Sequence, residues 1–238
     1  NVRIFTPTQE IPFAGHPNIG TAFVLSSIVE IGNIDEGLNI IFEEKAGPVP
    51  ISIRQVGADI WCELKAPEPL SLGQSIDLDL IAAALSLVSE DIITSTHQPI
   101  VASVGLPFVI VELGSRLALE RARSYLPAIE EIQGLGVMPD ILLYVRSDDD
   151  FDIRARVFAP LDGVPEDPAT GSANCALAAL LSHYKTESTG DFSWRIAQGV
   201  EMKRPSVLEA RSKKRPDSGV DVWVSGTCKM VSEGLIEI

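Results

Sequence analysis

Two stretches of the chain are apolar on nearly every side, not along one stripe. In one, Ala22, Phe23, Val24, Leu25 and Ile28 follow Asn18; in the other, Ala176 to Leu181 form an unbroken apolar run. A helix without a polar face must be buried all round, so the pattern predicts two central helices, over 18–31 and 173–184, with Gly32 stopping the first. Short runs of strand character fall at 40–43, 49–54, 60–64, 141–145, 153–158, 207–210 and 220–225. More exposed helices are predicted over 76–88 and 116–132. Buried helices among so many strands fit an α+β architecture, in which a curved sheet or partial barrel surrounds each central helix.

These elements repeat. Arg3-Ile4-Phe5-Thr6-Pro7 returns as Arg156-Val157-Phe158-Ala159-Pro160, and Pro12-Phe13-Ala14-Gly15-His16 returns as Pro168-Ala169-Thr170-Gly171-Ser172. Asn18 then matches Asn174, Ala22 matches Ala178, and Asp59-Ile60-Trp61 matches Asp221-Val222-Trp223. Their shared order marks a tandem duplication. It predicts two pseudo-symmetric lobes, residues 1–92 and 93–238, divided near 89–96. The strand-and-helix stretch between Pro99 and Arg156 has no counterpart ahead of Arg3. If the lobes are alike, the first is expected to be short by roughly 50 residues.

Charge and composition narrow the partners. Of 238 residues, 33 are acidic and 19 are Lys or Arg, a net charge of −14. No basic run could track phosphates, so nucleic acid is not an expected partner. The basic residues between Arg211 and Arg215 read as a solvated hairpin tip. Cys62, Cys175 and Cys228 are far apart, as are His16, His97 and His183. Reduced thiols, a cytoplasmic setting and no metal site are the expectation. The most apolar stretch, 100–113, is broken by Ser103, Gly105 and Pro107 and is too short to span a bilayer; a soluble chain with no membrane contact is expected. Trp61 and Trp223 read as packing anchors, Cys175 as a core residue, and His97 and His183 as structural or exposed.

Candidate chemistry sits where each loop meets its central helix. Gly15 precedes His16, and Gly171 precedes Ser172. Helix N-termini carry unpaired N–H groups and partial positive charge, which attract carboxylates or developing enolates. Glycine lets a ligand approach the backbone closely. His16 could donate and accept a proton, and Glu166 or Asp167 could act as acid or base. Each motif alone has a structural explanation: Asp167 capping a turn, Ser172 as an N-cap, His16-Pro17 as a rigid helix start. Two equivalent motifs favour a site between the lobes for a small acidic metabolite.

At these residues the chain resembles the PhzF-like isomerases of phenazine biosynthesis, relatives of diaminopimelate epimerase. The resemblance is carried by Arg3 to Pro7 with Glu10 to Pro17, and by Arg156 to Pro160 with Glu166 to Ala173. Gly105-Leu106-Pro107, Gln198-Gly199, Arg204-Pro205-Ser206 and the stretch from Gly226 to Gly234 add to it. It implies the two-lobed diaminopimelate epimerase-like fold, a homodimer, and proton transfer without a cofactor. The catalytic residues it implies are His16, Asp167 and Ser172, with Gly15, Pro17, Asn18, Thr170, Gly171 and Ala173 binding substrate. The epimerase uses a cysteine at each helix mouth, where this chain has His16 and Ser172, so two-thiol chemistry is not expected. The family's catalytic glutamate lies upstream of the Arg3 motif, so the chain as given is expected to turn over poorly. The alternatives are a non-catalytic relative that binds a carboxylate or protein, and an amino-acid racemase or epimerase.

Overall fold

The computed structural model of the chain describes residues 1–27, 34–217 and 219–235. The first half contains β1 (Ile4–Phe5), β2 (Glu10–Ile11), α1 (His16–Ser27), β3 (Leu38–Glu44), β4 (Gly47–Val56), β5 (Asp59–Lys65), β6 (Ser71–Ser75) and α2 (Leu78–Ala84). There follow β7 (Ile92–Ile93), β8 (Ile100–Ser103), β9 (Pro107–Leu113), α3 (Arg116–Arg121), α4 (Leu126–Gly134), β10 (Ile141–Arg146) and β11 (Ile153–Ala159). The chain continues through β12 (Val164–Asp167), α5 (Gly171–His183), β13 (Gly190–Gln198), β14 (Ser206–Lys214) and β15 (Val220–Thr227). Both central helices start two residues before their expected positions, and the expected end of the first, at 28–32, lies outside the described residues. None of the helices described is long and apolar enough to cross a membrane.

One sheet runs through both halves in the order β3-β4-β5-β15-β14-β13-β11-β10-β9-β8-β6. The halves are joined where β5 pairs antiparallel with β15, from Trp61 opposite Thr227 to Lys65 opposite Trp223. Residues 71–75 pair with β8, and α2 packs on α4. The segment 71–92, expected in the first lobe, thus shares its hydrogen bonds and core with the second. The reason lies in its apolar residues: Ile76, Ile81, Ala82 and Leu85 bury themselves with Leu119, Ile129 and Ile132.

Period-two alternation divides the core into two layers. Ala102, Phe108, Ile110, Leu142 and Tyr144 point to the side of α5, whereas Val101, Val109, Val111, Ile141 and Leu143 meet α2, α3 and α4. A sheet covered on both faces needs continuous apolar runs, which is why 107–113 and 141–145 lack polar alternation. The helix expected over 116–132 is two helices, α3 and α4, because Pro127 sits in the first turn of a new helix and cannot continue an old one. From Gly171 to Ser182 every residue of α5 is buried, as its sequence predicts. In α1 only Asn18, Ile19, Ala22 and Ser26 are buried; it packs on β4, β5 and β15, and Val24 is 40% exposed.

Two sequence expectations change in detail, and the structural reading of His97 holds. Trp61 and Trp223 alternate with the buried Cys62, Val222 and Val224, so they stand on the outer face of the sheet. There the guanidinium groups of Arg54 and Arg211 lie 3.9 Å over their rings. Arg211, read as part of a hairpin tip, sits in β14 and makes a two-pronged contact with Glu63; only residues beyond Lys214 form the turn. His97 is buried, with Nδ1 2.7 Å from the Gln98 carbonyl and Nε2 3.0 Å from the Tyr144 hydroxyl. Tyr144 donates to Glu112, which also accepts from Arg146.

Removing the Tyr144 hydroxyl would leave a buried Glu112 oxygen without its donor. Tyr144→Phe should cost about 1–3 kcal/mol, read as a lower urea midpoint with an unchanged slope. An unchanged midpoint would show that the network contributes nothing to stability.

Candidate active site

The duplication is visible in three dimensions. Ile4 pairs with Ile11 across β1 and β2, and their counterparts Val157 and Asp167 pair across β11 and β12. Arg3 holds Glu10 through two hydrogen bonds of 2.9 and 3.1 Å; Arg156 holds Glu166 through two of 2.8 and 2.9 Å. The Asn18 amide donates to the Ala14 carbonyl at 2.8 Å, and the Asn174 amide to the Thr170 carbonyl at 2.9 Å. Each loop is tied in the same way to the start of its helix.

These ties bring the two helix starts into contact. A Cβ placed on Gly171 would lie 2.8 Å from the Cα of Gly15, and one placed on Gly15 would overlap the Gly171 backbone. Thr170, at the N-cap of α5, makes no side-chain capping bond. The first amides of that helix therefore keep the unpaired donors of any helix start. Ser172 is 2% exposed.

His16 stands at the mouth with its side chain 56% exposed, and its Nδ1 lies 3.7 Å from Asp167 Oδ2. Asp167 is held by a relay. Buried Gln198 donates to the Thr170 hydroxyl at 2.9 Å, and that hydroxyl donates to Asp167 Oδ2 at 2.6 Å. Gln198 also donates to the Asp167 carbonyl and accepts from Asn174 and the Thr170 amide. Glu166, the other sequence candidate for acid or base, is committed to Arg156 through two hydrogen bonds. Gln198 is the positioning residue that sequence reasoning missed. Its signal was the following Gly199, whose φ of +76° and lack of side chain let the turn press on the Pro168 carbonyl.

A cavity of about 240 Å³ opens beside the glycine contact, and its wall includes Gly15, His16, Pro17, Asp167, Thr170 and Ser172. Gly171 faces a second hollow on the other side, next to Ser225 and Cys228. Of the expected binding residues, Asn18 and Ala173 are fully buried behind the wall. Their side chains serve the helix and the core. Cys175 is also fully buried, and burial pushes its thiol up out of the reactive range.

Three carboxyl-bearing residues line the same cavity: Asp140, Asp162 and Asp167. Asp162 accepts a 2.8 Å hydrogen bond from Gln9, whereas Asp140 is 4% exposed and its Oδ1 has no partner. Burial, reinforced by Asp162, pushes the Asp140 carboxyl up to about 7. Burial likewise pushes Glu44 up to about 7, with Asn18 opposing the shift.

Two predictions follow from this geometry. Gly15→Ala should destabilise the protein by about 1–3 kcal/mol or more through backbone overlap. Gly20→Ala, in the same helix with open space around it, should instead stabilise by about 0.5–1 kcal/mol; thermal melts that rank the two alike would contradict the contact. The second concerns pH. A carboxyl whose folded pKa is raised stabilises fully below its unfolded value, and that contribution is lost as pH rises through the folded value near 7 for Asp140. Asp140→Asn should therefore melt higher than wild type at pH 8, by roughly 2–4 °C, with the difference vanishing by about pH 4. A constant difference between those pH values would refute the assignment.

Comparison with known proteins places the chain. The family of phenazine biosynthesis-like proteins, PhzC-PhzF, matches residues 1–234. An uncharacterized isomerase of Mesorhizobium japonicum is 31% identical over all of this chain and 80% of its own length. The trans-2,3-dihydro-3-hydroxyanthranilate isomerase of Pseudomonas aeruginosa is 33% identical over 98% of this chain and 77% of its own. Among solved structures, the PhzF-family protein of Bacillus anthracis superposes with a TM-score of 0.79 at 19% identity, over 94% of this chain and 76% of that one. A hydroxyproline epimerase from Agrobacterium vitis gives 0.65 at 16% identity, over 94% and 66%. The expected mixed α+β fold of the diaminopimelate epimerase type is thereby shown, while poor turnover by the chain finds no support in the fold or the relatives. With its duplicated loops, its paired helix starts and these relatives, the chain belongs to the PhzF family of isomerases.

Proposed function

We propose that this isomerase transfers a proton on a small carboxylate-bearing substrate, without a cofactor, in the cavity beside Gly15 and Gly171. The observation that carries the reading is the pairing of His16 with Asp167, 3.7 Å apart, at the point where two helix N-termini meet. Donors and positive partial charge at those ends favour a carboxylate and, as its neighbouring carbon loses a proton, the enolate-like charge that develops. Ser172 and the first amides of α5 hold the carboxylate. Asp167, anchored by Thr170 and Gln198, and His16 give and take the proton. A separation somewhat longer than a hydrogen bond is usual in a site without ligand and shortens when substrate fills it. The relatives named for it make trans-2,3-dihydro-3-hydroxyanthranilate the first compound to try.

The test is incorporation of solvent deuterium into that compound and into a panel of small unsaturated carboxylates, followed by mass spectrometry. Wild type should exchange one carbon-bound proton, and Asp167→Asn and His16→Asn should each slow exchange by about 100-fold or more while melting normally. Ser172→Ala should weaken binding more than it slows the bound complex. Exchange that is untouched in Asp167→Asn would sink the acid–base reading. Tight carboxylate binding with no exchange in any compound would identify a non-catalytic relative.

A further inference from the structure

On the cavity wall Asp140 is 4% exposed and its Oδ1 lacks a partner among the described residues, and Ser172 beside it is 2% exposed. Ser172 belongs to the helix end that the proposed function assigns to the substrate carboxylate. Asp140 does not. It precedes β10, and the cavity wall also includes the apolar side chains of Ile4, Leu106, Phe108 and Val157. Such walls offer the carboxyl nothing in exchange for lost water, and an unpaired buried polar group is costly. Its acidic neighbour Asp162 already accepts from Gln9 and makes no hydrogen bond to it. Charge in this corner is therefore negative or neutral, the opposite of the positive helix ends.

We propose that Asp140 is a specificity-determining residue that receives a hydrogen-bond donor, an amine or hydroxyl, borne by the ligand apart from its carboxylate. The cavity is then polarised: donors at the start of α5 for the ligand's anionic group, and acceptors at Asp140 and Asp162 for its donor group. The apolar side chains fit the ring or hydrocarbon part joining the two. An alkyl amine would draw the proton off Asp140, whereas an aryl amine or a hydroxyl would donate a hydrogen bond to it; in either state the buried carboxyl gains a partner for Oδ1. This assignment rests on the carboxylate reading above and adds a second point of recognition to it.

Titration calorimetry with two probes separates the two ideas: 2-aminobenzoate and benzoate, which share ring and carboxylate and differ by the amine. Wild type should bind 2-aminobenzoate about 10-fold more tightly, the worth of one buried hydrogen bond. Asp140→Leu should abolish the preference while leaving benzoate affinity within about two-fold. Asp140→Asn, which keeps a carbonyl acceptor in the same place, should retain part of it and guards against a folding defect in the leucine variant. Ser172→Ala should weaken both probes alike. Equal affinity of wild type for the two probes, or an undiminished preference in Asp140→Leu, would overturn the assignment and leave the carboxylate reading standing. Failure of both probes to bind would overturn the carboxylate reading and the assignment with it.

Discussion

The structure depends on the approach of Gly15 to Gly171. Two helix N-termini carry partial charges of the same sign, so bringing them to backbone contact is unfavourable unless something holds them there. The holding is distributed. The sheet passes unbroken from β5 to β15 and fixes one half against the other. The loops that feed the helices are tied by Arg3 to Glu10 and by Arg156 to Glu166. Glycine at both positions is the remaining requirement, because any Cβ would have to displace backbone. What results is a positive focus inside a protein of net charge −14, where the near field of the helix ends outweighs a screened surface charge.

Duplication supplied a symmetric frame, and substitution made its chemistry asymmetric. Asp167 stands where the first lobe has Ile11, and Ser172 where it has His16. The proposed acid–base pair is consequently drawn from both halves of the repeat, His16 from one and Asp167 from the other. The supporting pairs diverged too: the Arg3 side chain is 64% exposed, whereas that of Arg156 is 4% exposed and also donates to the Leu119 and Ala122 carbonyls. An exposed ion pair contributes little to stability. A buried one locks position, and the lobe that must place Asp167 has the buried version.

Much of this was legible in the sequence, for identifiable reasons. The central helices, most strands and the repeat follow from periodicity and from motifs that recur in order, signals local to each segment. Contacts made at a distance were not legible. Nothing in 71–75 announces its pairing with β8, and Gln9 and Asp162 meet only because the lobes bring together residues 153 positions apart. Helix α1 reads as apolar on all sides, yet among the described residues β4, β5 and β15 cover only one of them. At the site, the helix-mouth motifs point to His16, Asp167 and Ser172, and all three line one cavity. Gln198 and Asp140 were not, because burial and a missing partner are tertiary facts that residue type does not disclose.

Among the described residues the buried side-chain atoms without partners belong to Asn18, Asn174, Glu44 and Asp140, and symmetry sets the two asparagines apart. The Oδ1 atoms of Asn18 and Asn174 both lack partners, but these residues are equivalent under the duplication and their amides perform the same task in each lobe. Their shared vacancy accompanies a common way of fastening loop to helix. Neither side chain is on the wall of the 240 Å³ cavity. Asp140 and Ser172 are on that wall, and Ser172 differs from its repeat counterpart, His16. Groups that cost stability and serve no fastening persist where binding repays them. By that criterion Asp140, and not the asparagines, is the group to which a binding role is proposed.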